Sequence, residues 1–101
     1  MPKLGTRTMT GGSGNAYEFN VYPGNMVFND FIPGVFAVCK DEDVLFMGES
    51  DNVDRAIQNN DKKQELEQKG FNRVCFHRVA NPDKRKAAID DLLKAISPPC
   101  N

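Results

Sequence analysis

The chain contains no apolar run near the roughly 18 residues that a bilayer-spanning helix requires. Its first residues, MPKLGTRTMTGGSGN, lack the apolar centre of a secretion signal. No membrane partner is expected, and the reading is cytoplasmic. There is no CxxC pair. Cys39, Cys75 and Cys100 are odd in number and far apart, which argues against a zinc site and for reduced, buried thiols. His77 is the only histidine. No repeat or second hydrophobic unit is present, and 101 residues hold one domain. A general basic excess, the usual mark of a nucleic-acid binder, is also lacking.

The net charge of −1 is unevenly distributed. Residues 41–61 hold Arg55 as their one basic group among seven acidic ones, whereas residues 62–101 carry a basic excess. Any attraction to phosphate should therefore be confined to the last forty residues and opposed by the middle of the chain.

The first fifteen residues, with TGGSG at their centre, read as a flexible arm; residues 16–101 form the single domain. Tyr17, Phe19 and Val21 alternate on one face of a half-buried strand, which Pro23 and Gly24 end. A loop containing Asn29, Asp30 and Pro33 follows. VFAVC (Val35–Cys39) and VLFM (Val44–Met47), joined by KDED, predict an antiparallel hairpin. Ser50 or Asp51 is placed to cap a helix bearing Val53, Ala56 and Ile57. The polar stretch to Gly70 predicts a short exposed helix with Leu66 as its one strong apolar residue. RVCFHR (Arg73–Arg78) predicts a strand with Val74 and Phe76 on one face and Arg73, Cys75 and His77 on the other. Pro82 suits the first turn of a helix. Ile89, Leu92, Leu93 and Ile96 give that helix an apolar stripe, and Pro98 and Pro99 stop it.

GVF (Gly34–Phe36), nine residues, then FMG (Phe46–Gly48) resembles the paired triplets of the GIY-YIG endonuclease superfamily. ESDNVDRAI resembles its first helix, and SPPCN (Ser97–Asn101) its closing pattern. The resemblance runs from about Val35 to Asn101. It implies an α/β (α+β) fold: a small, mostly antiparallel sheet flanked by helices, here with an extra N-terminal strand. It also implies cleavage of DNA with one divalent metal, which neutralises the leaving group and polarises the phosphate. A glutamate on the late helix would hold the metal. Two tyrosines and an arginine would surround the scissile phosphate, the guanidinium through paired hydrogen bonds.

Carried over position by position, the chemistry is missing. The tyrosines match Phe36 and Phe46, the arginine matches Ala56 and the glutamate matches Ile89. Arg55 and Asp90 each lie one residue away, about 100° round a helix. The plainer reading makes Phe36, Phe46 and Ile89 core residues, Arg55 and Asp90 surface charges, His77 a polar strand residue and Lys84–Lys86 a solvated helix face.

The expectation is thus a catalytically degenerate member acting as a macromolecular binding module, with a protein as partner. Its contact candidates are the arm and the acidic region that includes Glu49, Asp51 and Asp54. No cofactor is expected. The alternatives are a divergent Mg²⁺-dependent endonuclease and a non-cleaving nucleic-acid binder. The endonuclease would use Arg55, His77 and Asp90 or Glu49, the last two as metal ligands. The nucleic-acid binder would act through Lys84, Arg85 and Lys86.

Overall fold

The computed structural model of the chain describes residues 3–24 and 32–101. The expected loop residues Asn29 and Asp30 lie outside the described residues; Pro33 is described. Five strands, β1 (Gly5–Thr10), β2 (Ala16–Pro23), β3 (Gly34–Lys40), β4 (Asp43–Ser50) and β5 (Arg73–Arg78), form one sheet. Three helices, α1 (Val53–Gln58), α2 (Lys63–Gln68) and α3 (Pro82–Ala95), complete the chain. The strand order is β1-β2-β5-β3-β4, and every neighbouring pair is antiparallel. The expected α+β class with a small antiparallel sheet is therefore what the chain forms.

The sheet separates two apolar layers because strand side chains alternate between its faces. On one face α3 lays Ala88, Ile89 and Leu92 over Phe19, Val35, Ala37, Met47 and Cys75. On the other, Val53 of α1 and Leu66 of α2 pack with Phe36, Val38, Val74, Phe76 and Cys100. Central β3 is buried on both faces from Gly34 to Cys39. This explains its unbroken apolar run, a pattern that buried strands share irrespective of direction.

A β-bulge falls in β4. Val38 is opposite Phe46 but Cys39 is opposite Val44, which leaves Leu45 as the extra residue. β4 is a sheet edge, and it is covered. Asn101 accepts from the Met47 amide (2.8 Å) and donates to the Met47 carbonyl (2.9 Å), while the Cys100 amide donates to the Leu45 carbonyl (2.9 Å). SPPCN carries the chain from the α3 face round this edge, so that Cys100 is buried in the opposite layer.

Two expectations are corrected. The flexible arm of residues 1–15 is replaced, over Gly5–Thr10, by strand β1, which pairs along its length with β2. The glycines of TGGSG form a tight turn docked on α3. Gly12 N–H donates to the Asp91 carbonyl (2.8 Å) and Ser13 N–H to the Asp91 carboxylate (2.8 Å). A Cβ on Gly11 would run into that carboxylate, and one on Gly12 would come 2.7 Å from Lys94 Cβ. Glycine serves here for close approach, not for flexibility. The helix cap is also corrected: it is Asn52, whose side chain accepts from Arg55 N–H (3.2 Å). Ser50 and Asp51 fail as caps because β4 extends to Ser50, whose hydroxyl instead accepts from the Asn52 amide at 3.0 Å.

Candidate functional site

The residues matched to the nuclease positions do not form one site. Phe36 and Phe46 stack with centroids 6.0 Å apart, in the layer that also holds half-buried Ala56. Phe36 is paired directly with Gly48, and a Cβ there would meet its ring at 3.0 Å. The glycine of FMG thus makes room for the phenyl ring. Ile89 lies in the α3 layer on the other side of the sheet, 7% exposed.

The neighbouring groups are separated in the same way. Arg55 is exposed on α1 and Asp90 is exposed on α3, with the sheet between their helices. His77 belongs to neither pair. Its Nδ1–H donates to the Glu18 carbonyl at 2.9 Å, and its ring packs against Tyr17 and Phe19. A general base must reach the proton it removes, and His77 is turned toward β2 instead. The divergent-nuclease constellation of Arg55, His77 and Asp90 is therefore not assembled.

The KRK run is corrected as well. Lys84 and Lys86 are exposed, but Arg85 is buried. Its Nε donates to Glu49 Oε2 at 2.6 Å, and its Nη1 donates to the carbonyls of Val79 and Ala80, each at 3.3 Å. Residue 85 falls on the inner side of α3, in phase with Ala88, Ile89 and Leu92. Arg85 is thus not available to phosphate, and Glu49 is engaged with a guanidinium, not left open for a metal. Asp51 is exposed beside Ser50. Asp54 occupies the first turn of α1, where a carboxylate complements the helix dipole.

Asp91, which the sequence reading did not single out, joins three partners. Besides Ser13 N–H, its carboxylate accepts from Ser13 Oγ and from Tyr17 Oη, each at 2.8 Å. The Ser13 hydroxyl, the Tyr17 hydroxyl and the Ser13 amide hold its pKa below the ordinary 3.8. Burial and the hydrogen bond to Asp91 push the Tyr17 phenol up. Because the folded state favours ionised Asp91, its contribution is complete above the unfolded pKa and is lost as pH falls through the native one. In urea denaturation, lowering the pH from about 6 to about 2 should therefore cost the native protein more stability than Asp91→Asn. The stability gap between the two should narrow on the acid side.

Two thiols meet at the end of the sheet that α3 leaves open. Cys39 Sγ and Cys75 Sγ are 3.9 Å apart, and Arg7 Nη1 lies 4.0 Å from Cys39 Sγ. The hydrogen bond to Cys75, together with burial, keeps Cys39 protonated. The same hydrogen bond lowers the Cys75 pKa against its burial, and Arg7 and Arg73 lower it further. Cys75 also lines a cavity of about 370 Å³ together with Leu4, Gly5, Arg7, Val21 and Arg73. The alternation of RVCFHR already put Arg73 and Cys75 on one face, but Arg7 lay in the supposed arm and carried no signal.

Among the described residues, no helix is long and apolar enough to cross a membrane. Comparison with protein-family models, with curated proteins and with solved structures returned no match.

Proposed function

We propose that this chain is a macromolecular binding module for a protein partner, built on a GIY-YIG-like sheet that keeps the apolar shapes of a nuclease and not its chemistry. One observation carries the reading: the sheet divides the positions that would have to converge on a phosphodiester. Phe36, Phe46 and Ala56 serve one layer and Ile89 the other. The nearest ionisable substitutes, Arg55 and Asp90, project from helices on opposite faces.

Edge strand β1 is the surface best suited to a partner. Cys100 and Asn101 cover the β4 edge, whereas β1 has a neighbour on one side only among the described residues. Leu4, just before it, is 54% exposed and is the one exposed large hydrophobic residue described. The Gly11 amide donates to the Asn15 carbonyl. By the alternation of an antiparallel ladder, Met9 and Arg7 then direct their N–H groups toward β2, and Thr6, Thr8 and Thr10 direct theirs outward. An extended segment of another protein can pair with these groups by strand addition.

The test has two arms. Purified protein with supercoiled plasmid and Mg²⁺ or Mn²⁺ should give no nicking; metal-dependent nicking abolished by Arg55→Ala or Asp90→Ala would overturn the proposal. Affinity capture should retain a protein that Thr8→Pro releases. That substitution removes an outward donor and leaves the β1–β2 ladder intact. Retention that is indifferent to Thr8→Pro would move the contact away from β1.

A further inference from the structure

A cavity lies beside the thiol pair. Its floor is set by register: Gly5 is opposite Val21, and Val21 is opposite Cys75. These three residues form one row across β1, β2 and β5. Gly5 contributes no side chain, and a Cβ there would meet nothing within 4 Å, so the row stays open above Val21. No α3 residue lines the space.

Two guanidiniums flank this row. Arg7 shares the face of Phe19, its partner on β2, and Arg73 shares the face of Cys39, its partner on β3. Both arginines are half-buried. Their circumstances differ from those of Arg85, which has a carboxylate and two carbonyls. Neither Arg7 nor Arg73 has a carboxylate within 4.0 Å among the described residues, and Arg7 reaches only a thiol, a weak acceptor. A guanidinium drawn over an apolar floor has lost part of its hydration, and among the described residues neither arginine touches a carboxylate, although Asp41 and Glu42 line the same cavity. The group that restores the balance is an oxyanion, which guanidinium forks bind through paired, charge-assisted hydrogen bonds.

We infer that this cavity binds a small molecule through a carboxylate or phosphate head, held between Arg7 and Arg73 over Val21 and Cys75. The volume suits a compact ligand, at the lower end of the range for small-molecule sites. Asp41 and Glu42 line the cavity too, Asp41 beside the Arg73 end. Asp41 is held there by Asn72, whose side chain accepts from its amide (2.8 Å) and donates to its carboxylate (3.0 Å). These two carboxylates disfavour a second anionic group, so the ligand carries a single anionic head. The cavity includes Leu4, Gly5, Thr6 and Arg7 at the start of β1, and binding of a small ligand there needs no protein partner.

The probes are inorganic phosphate and acetate, titrated separately into the full chain and followed by amide chemical shifts. At least one should give saturable shifts at Gly5, Arg7, Val21, Arg73 and Cys75. Binding by phosphate alone assigns a phosphoryl ligand, and binding by acetate alone a carboxylate ligand. Arg7→Gln and Arg73→Gln should each weaken binding by tenfold or more, and Arg73→Lys should restore part of it. Both glutamine variants should keep the native amide spectrum, since neither arginine is in the core. Absence of saturable shifts with both probes, or equal binding by the doubly substituted protein, would overturn the inference.

Discussion

Glu49→Ala should destabilise the chain by about 3 kcal/mol, the scale set by stranding a buried charge without its partner. The asymmetry of the pair gives the reason. The Arg85 side chain is 8% exposed and that of Glu49 is 33% exposed. Without the carboxylate, Arg85 keeps its positive charge among apolar groups, and the Val79 and Ala80 carbonyls offset only part of it. Removing the arginine is milder, because water reaches Glu49 and restores its solvation. Arg85→Met should therefore cost about 1–2 kcal/mol, the methionine filling part of the space that the aliphatic stem leaves. The double variant should be more stable than Glu49→Ala alone. Urea unfolding of the four proteins measures the cycle; a double variant weaker than both single ones would refute the charge argument. A loss of 3 kcal/mol is large beside the 5–15 kcal/mol typical of a whole domain.

Gly34→Ala should cost about 3 kcal/mol or more, near the upper end for overpacking a closed site. Gly34 opens β3 between two neighbours, paired with Ser50 of β4 and Arg78 of β5. A Cβ there would collide with the His77 backbone carbonyl and approach a Phe76 ring atom to 2.5 Å. The ring could turn away, but the carbonyl belongs to the ladder and could move only by parting the central strands. Gly48→Ala provides the contrast. Its Cβ would meet only rings, Phe36 at 3.0 Å and Phe46 at 3.3 Å, and these can shift by a few tenths of an ångström. Its cost should stay below about 1.5 kcal/mol. Thermal or urea unfolding should rank the two in that order. Equal losses would mean that the ladder gives way as readily as the side chains.

These two sites show where a linear reading succeeds and where it stops. GVF and FMG were read as paired strands, and Phe36 does face Gly48 across the hairpin. Four of the five strands were legible, because the alternation of YEFNVY and RVCFHR and the apolar runs VFAVC and VLFM are local signals. The α3 stripe was equally plain, from Pro82 at its start to the prolines beyond it. β1 escaped notice because GTRTMT is rich in threonine and short of apolar residues, and TGGSG beside it has the composition of a linker. Composition cannot distinguish a glycine that flexes from one that lets Asp91 approach.

The candidate site was less legible than the fold. Position matching set Phe36, Phe46, Ala56 and Ile89 where the resembled family carries hydroxyls and charges. It could not show that Ile89 lies across the sheet from the other three, since that depends on which face each crossover takes. Arg85 looked like one cation in a basic run, and only its phase on α3 turns it inward to Glu49. Arg7 and Arg73 are 66 residues apart in the chain and line one cavity because β2 lies between β1 and β5.

By itself the sequence determined the elements with local periodicity, the hairpin and the burial of the apolar stripes. Each depends on contacts or spacings within a few residues. The tertiary structure alone decided the strand order, the assignment of helices to opposite faces, the docking of TGGSG on Asp91 and the meeting of two arginines with two thiols. These follow from pairings between segments distant in the chain, which a local pattern does not encode.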